Sequence, residues 1–283
     1  MSFIEIRNVE KCFGSTAALK NVSITLEKNR IYGLLGRNGA GKSTLMNLMT
    51  NKLFPTSGEI LLEGQPVREN DRVLSRIYCM TEKNMYPESM QVKTAYKWTK
   101  KFHPGFDMKY ALELSGKFEL NVNKKMKSLS TGYASIFKMV IALSCNTETV
   151  LLDEPVLGLD AYHRDLFYRE LISSYSENPR TIVISTHLIE EAADIIEEVI
   201  ILKEGQVILQ DSVENVLKKG YTISGPIGRV DAFLPGKQVI GSDVIGGLKS
   251  AYLFDEMPES PVPDGLELSK LNLQKMFIHL TNS

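Results

Sequence analysis

Eight residues, "GRNGAGKS" at 36–43, limit what this 283-residue chain can fold into more than any other stretch. They match the pattern G-x-x-x-x-G-K-[ST] at Gly36, Gly41, Lys42 and Ser43. Glycines at such places let the backbone curl with its N–H groups turned inward around a phosphate. The lysine then reaches the outer phosphates, and the hydroxyl suits Mg2+. "RIYGLLG" before the loop is a nearly continuous apolar run, the pattern of a buried strand. "TLMNLMTNKL" after it has a helical pattern. A glycine-rich turn without a ligand is the bland alternative, and the strand–loop–helix context weighs against it.

The rest of the chain alternates in kind. "FIEIRNVE" and "NVSITLEK" carry apolar residues at every second position and read as antiparallel, half-buried strands. "SGEILLEGQPV" reads as a further strand and turn. Residues 88–127 hold nine lysines and no arginine against four acidic residues, a local charge of +5. "VKTAYKWTKKF" and "DMKYALELSGKFEL" there look helical, so a helical insertion is expected at about 85–145. Strands and helices then alternate through "TETVLLDEP", "DLFYRELISSYSE", "RTIVISTH" and "LIEEAADIIEE". "VIILKEGQVILQ" reads as a hairpin turning at Gly205. "SVENVLKKG" reads as a short helix capped by Ser212, with Gly220 past its end. Beyond Gly220 come glycine and β-formers, a proline-rich loop "DEMPESPVPDG", and an amphipathic helix "LELSKLNLQKMFIHLTN". About sixty residues are few for an independent domain, so this region is expected to pack on the main body.

Composition bounds the classes of function. A formal net charge of -1 gives no general attraction to nucleic acid. The three cysteines, Cys12, Cys79 and Cys145, are scattered without metal spacing, which fits a reducing cytosol and three buried small hydrophobes. No apolar run reaches the length of a bilayer span and the start of the chain lacks a signal-peptide pattern, so a membrane role is expected to come through a partner.

Two acids end the buried run "VLLDEP". Ionised carboxylates beside a core must be paired or bound to metal, and alternation aims Asp153 and Glu154 differently. Asp153 suits Mg2+, directly or through water. Glu154 suits a general base for an attacking water. His187 follows another buried run, and strand ends on one edge of a parallel sheet converge, so His187 is a candidate to touch a γ-phosphate. His103, His163 and His279 have no such placement. At 129–133 "LSTGY" opens a helical run, and a helix start with Ser130 and Gly132 is a second anion site.

These motifs, in this order, resemble the nucleotide-binding subunit of an ATP-binding cassette (ABC) transporter over residues 1 to about 215. "GRNGAGKS" is similar to the Walker A motif, "TVLLDEP" to Walker B with its catalytic glutamate, "LGLD" to the D-loop and "STH" to the switch histidine. The fold implied is α/β: a P-loop NTPase core of ABC type with an antiparallel β subdomain, a helical subdomain insertion and a small C-terminal α+β appendage. Residues 1–220 would be the ATPase domain and 221–283 an accessory region. The resemblance implies ATP and Mg2+ as ligands. Phe13 would stack on adenine; Gly36, Asn38, Gly39, Ala40, Gly41, Lys42, Ser43 and Thr44 would hold the phosphates. Ser43, Asp153 and Glu82 would serve Mg2+, and Glu154, His187 and Lys42 would be catalytic. "LSTGY" stands where the family has its signature motif, about twenty residues before Walker B. There it implies action in trans: Ser130 and Gly132 close on the γ-phosphate held by the Walker A loop of a facing subunit, and hydrolysis reopens the dimer.

Two departures stand out against the family pattern. Thr131 and Tyr133 replace the glycine and glutamine of LSGGQ, which implies weaker closure or slower turnover. Glu82 stands at the Q-loop glutamine; a carboxylate there, with the terminal "LNLQKMFIHLTN", is similar to small ABC-2-type exporters, including those for antimicrobial or amphipathic peptides. The resemblance implies transmembrane permease subunits and a second ATPase subunit, identical or different, as partners. It also implies a place on the cytoplasmic face of the membrane, with a permease helix in the groove near Glu82, Tyr86 and Pro87. The lysine-rich region would feel anionic lipid or be a solvated basic face. A soluble ABC ATPase acting on ribosomes or nucleic acid is the alternative. The residues after Gly220 are open to a regulatory role or a part in stabilising the dimer.

Overall fold

The computed structural model describes residues 2–258 and 262–282. The proline-rich stretch expected at 255–265 falls partly on residues 259–261, which lie outside the described residues. Strands β1 (Ser2–Phe13) and β2 (Thr16–Glu27) form an antiparallel hairpin that β4 (Ser57–Leu62) and β5 (Gln65–Pro66) extend to the order β2-β1-β4-β5. A second, six-stranded sheet runs β10-β9-β3-β8-β7-β6, formed by β3 (Ile31–Gly36), β6 (Ile77–Met80), β7 (Thr149–Asp153), β8 (Thr181–Ser185), β9 (Glu198–Lys203) and β10 (Gln206–Ser212). Strands β9, β3, β8, β7 and β6 are parallel, and β10 closes one edge antiparallel through the Gly205 turn.

Both faces of this sheet are covered, which explains the unbroken apolar runs. Ile31, Leu35, Val150, Leu152, Ile182, Ile184, Val199 and Ile201 point to one cluster with the helices. Their neighbours Tyr32, Leu34, Leu151, Val183, Ile200 and Leu202 point to the other, against the first sheet and α1 (Lys42–Met49). Successive side chains of a strand face opposite ways, so each strand serves two cores. Polar chemistry is thereby excluded from the strands and confined to their ends.

The helical insertion follows the short α2 (Asp71–Leu74) and β6. It comprises α3 (Val92–Phe102), α4 (Met108–Lys117), a 3₁₀ turn at Met126–Ser128 and α5 (Thr131–Ser144). Buried Tyr96 holds it together: its ring stacks on Phe137 at 5.8 Å and its hydroxyl meets Ser115 Oγ at 2.9 Å. Asp107 caps α4 through the Tyr110 N–H at 3.0 Å. The helix stops before the expected "FEL" because Glu119 turns left-handed at φ 53°.

Helix α6 (Ala161–Glu177) starts four residues before the expected run, capped by Asp160. The helix expected over "LIEEAADIIEE" is a correction: α7 spans only Ile189–Ala192. The N–H groups of Ile195 and Ile196 both turn back to the Ala192 carbonyl. Ile196 then drops onto Gly33, where a Cβ would lie 2.7 Å from its Cδ1, and Glu197 bonds the backbone of Ile31. Of the three cysteines only Cys145 is buried; Cys79 is half-buried, and Cys12 is exposed beyond a register shift near the end of β1.

After β10, Ser212 caps α8 (Val213–Lys219) as expected. Strands β11 (Gly220–Pro226), β12 (Val239–Ile245), β13 (Leu248–Phe254) and β14 (Glu267–Lys270) form a third sheet, β12-β13-β11-β14, with α9 (Ile227–Phe233) packed on it. A small core forms there from Tyr221, Ile223, Val230, Ala251, Leu253 and Leu266. The last helix, α10 (Leu273–Asn282), instead inserts Leu273 and Met276 into the large cluster beneath the central sheet. A Cβ on Gly220 would lie 2.3 Å from Met276 Sδ. Gly220→Val is therefore expected to overpack this joint and lower the unfolding free energy by about 1–3 kcal/mol. Gly228→Ala, facing open space, should show no such loss in denaturant unfolding.

Candidate active site

The loop from β3 into α1 is built by excluding side chains. A Cβ on Gly36 would lie 2.8 Å from the Leu202 carbonyl and 2.9 Å from Ala40 Cβ. Gly41 adopts φ 106°, and a Cβ there would lie 2.8 Å from the Ala18 carbonyl. Helix α1 begins at Lys42 with no acid in its first turn, and its first helical bond runs from Leu45 N to Gly41 O at 2.9 Å. The N–H groups at its start therefore make a positive end that nothing in the helix neutralises. Lys42 is only 8% exposed. Its ammonium donates to the carbonyls of Gly36 at 2.6 Å and Arg37 at 3.3 Å. Burial pulls its pKa down, while Glu154 and Asp153 push it back up, which puts both acids within electrostatic reach.

Those acids sit where β7 runs out. Asp153 pairs in register with Ser185 of β8. Glu154 leaves the strand with φ 47°, a left-handed conformation, and its N–H donates to the Ser185 carbonyl at 2.9 Å. A non-glycine residue held so stores about 1–3 kcal/mol, and such strain gathers at functional sites. The turn aims the Glu154 carboxylate at His187, whose Nδ1 lies 2.8 Å from Oε2. His187, expected near a phosphate, is thus held first by the neighbouring acid.

Ser130 caps α5, its Oγ accepting the Tyr133 N–H at 3.3 Å. The start of α5 lies on residues 157–159 of its own chain. A Cβ on Gly132 would come 3.0 Å from the Gly158 carbonyl, and Ser135 Oγ donates to Leu157 O at 3.1 Å. The Thr131 methyl faces Gly158, lying 3.3 Å from where a Cβ would stand. Among the described residues, no hydrogen bond joins Ser130 or Gly132 to the 36–44 loop. Phe13 is 48% exposed at the end of β1, with Lys11 Nζ over its ring 5.0 Å from the centroid, so it is no core residue. Glu82 is exposed just after β6, its carbonyl bonded by Lys138 at 2.8 Å.

One feature escapes the sequence motifs. Lys138 stands alone in the apolar run of α5. A groove of about 500 Å³ opens beside Tyr86 and Pro87, lined also by Met85, Trp98 and Phe102. Met85 and Phe102 are 73% and 74% exposed, far more than a core would leave them.

The profile of the ABC transporter family matches residues 19–157. The lantibiotic transport ATP-binding protein SrtF of Streptococcus pyogenes is 32% identical over 224 residues, covering 75% of this chain and 93% of SrtF. The chain belongs to the ABC transporter family. This ABC ATPase is also 34% identical over 188 residues to the ABC transporter ATP-binding protein YtrB of Bacillus subtilis, covering 66% of the chain and 64% of YtrB, just under two thirds of that relative. Among solved structures, a dimeric ATP-binding cassette in a post-hydrolysis state bound to ADP and Pi superposes with a TM-score of 0.66 at 25% identity, covering 74% of this chain and 98% of that one. The expected α/β cassette fold is present, with its antiparallel sheet and helical insertion. No described helix of this ABC ATPase is long and apolar enough to cross a membrane. Gly41→Ala should force the loop away from Ala18 and weaken ATP binding by at least about tenfold, read by fluorescent-nucleotide titration.

Proposed function

We propose that this chain is the ATP-hydrolysing subunit of a membrane exporter, worked by ATP-dependent closure of two such subunits. The observation that carries the reading is the division of the site. Lys42, Asp153, Glu154 and His187 gather at one set of strand ends, while Gly132, in the helix that Ser130 caps, lies on the 157–159 segment of its own chain. An ATP on the 36–44 loop would then be completed by the Ser130 and Gly132 of a facing copy or a related subunit. Residues 1–220 form the ATPase unit in this reading, and 221–283 an accessory region.

Each residue has a physical role. Gly36, Asn38, Gly39, Ala40, Gly41 and Thr44 let backbone N–H groups surround the phosphates, Lys42 meets the outer charge, and Phe13 offers its face to adenine. Ser43, Asp153 and Glu82 form an all-oxygen donor set, the kind that hard Mg2+ takes beside phosphate and water. Mg2+ bound there would neutralise charge on the phosphate oxygens. Glu154 accepts a proton from the water that bonds to the γ-phosphorus. The bond from that phosphorus to the bridging oxygen breaks, and ADP keeps that oxygen. His187 keeps the Glu154 carboxylate aimed through the 2.8 Å contact.

The Trp98 and Phe102 groove suits an apolar segment of a permease, which would hold the chain at the cytoplasmic face of the membrane. Similarity to a lantibiotic transport ATP-binding protein supports an exporter for amphipathic peptides. Mixing two dead variants tests the shared site. Lys42→Ala removes the phosphate contact of one half. Ser130→Asp keeps the helix cap, since Asp caps as well as Ser, but sets a negative charge against the γ-phosphate. Each alone should lose about a hundredfold or more of ATPase rate. Their mixture should recover about a quarter of the parent rate, because half of randomly paired dimers are mixed and each of those has one of its two sites intact. No recovery on mixing, or full activity of Ser130→Asp alone, would overturn the division.

A further inference from the structure

Helix α5 carries "IFKMVIALS" through the body of the protein, and the single charge in that run is Lys138. A lysine there is costly: all five residues after it are apolar and buried. Its ammonium is half-buried and donates to the carbonyls of Thr81 at 3.2 Å and Glu82 at 2.8 Å. Beside it, buried Phe137 takes the Tyr86 ring edge-on at 5.3 Å. Two consecutive residues of α5 thus hold both ends of the 81–86 segment, the stretch between β6 and the apolar groove.

Charge explains why the anchor is a lysine. Burial lowers the Lys138 pKa, and two carboxylates, Glu82 first and Asp153 second, oppose that. The same strand ends hold Glu154, and Lys42 is the other ammonium in reach of Asp153 and Glu154. Lys138 faces Glu82 and Asp153, Lys42 faces Glu154 and Asp153, and a triphosphate brings more negative charge. An ammonium has three donors, so Lys138 can satisfy two carbonyls and still present charge to the acids.

Building on the ATPase reading, we propose that Lys138 is a positioning residue for ATP. It fixes the 81–82 backbone on the signature helix and keeps an ammonium at the acid-lined strand ends, so that the γ-phosphate can enter there.

Equilibrium binding of fluorescent Mg-ATP and Mg-ADP to the full chain tests this, with thermal unfolding as the fold control. Lys138→Met should weaken Mg-ATP about tenfold and Mg-ADP less than about threefold. Lys138→Gln, which keeps a donor for the carbonyls without the charge, should bind like the Met variant and serves if that variant unfolds. Lys138→Arg should stay near the parent. A Lys138→Met chain that binds Mg-ATP as the parent does would overturn the proposal. So would equal losses for ATP and ADP, since a mere packing role gives that result. A parent that binds no Mg-ATP would sink the ATPase reading itself, a result distinct from any of these.

Discussion

The structure depends on keeping side chains out of one loop. Between β3 and α1 the backbone must pass within contact of Ala18 and Leu202, and only glycine at 36 and 41 permits it. That closeness buries Lys42 at 8% exposure and turns the start of α1 outward with its N–H groups free. The central sheet supplies the rest. Because β3, β7 and β8 are covered on both faces, acids and imidazole can stand only where the strands end, and β7 and β8 end beside that loop. One constraint on packing thereby collects the lysine, two carboxylates and a histidine.

Much of this was legible in the chain. The glycine pattern, the apolar run before it and the acids after "VLL" follow from local chemistry, and local chemistry is what a sequence records directly. The glycine hairpin at 205 and the Ser212 cap came through for the same reason. Long-range geometry did not. Nothing in "LLDEP" says that Glu154 turns left-handed and meets His187, thirty-three residues on. "LIEEAADIIEE" has a good helical pattern, but the Ile196 and Glu197 contacts to β3 override it after four residues. Lys138 left a trace, one charge in an apolar helix, whose meaning needed the position of residues 81–82. Thr131 looked like an intrusion on a phosphate; its methyl faces Gly158.

The terminal region gains physical meaning from where it ends. Among the described residues its sheet has a core of six buried apolar residues, yet α10 is anchored in the large one. The helix runs on to the loop itself: Arg37 donates to Asn282 Oδ1 at 3.1 Å, and Thr281 lines a cavity of about 370 Å³ with Arg37, Asn38 and Gly39. The last turn of the described chain therefore stands next to the residues that would face a bound phosphate. Tyr252 stacks on His279 at 3.8 Å and ties the third sheet to that same helix.

Closure of two chains over ATP is the claim on which transport by this protein would rest. Solution mass of the Glu154→Gln variant, with and without Mg-ATP, tests it most directly. The amide keeps the contact to His187 but cannot take a proton from water, so bound ATP should persist. A shift from monomer to dimer on adding Mg-ATP is the expected result, reversed when ADP replaces it. A variant that binds Mg-ATP stoichiometrically and keeps the monomer mass at every concentration tested would contradict closure of this chain on a second copy of itself.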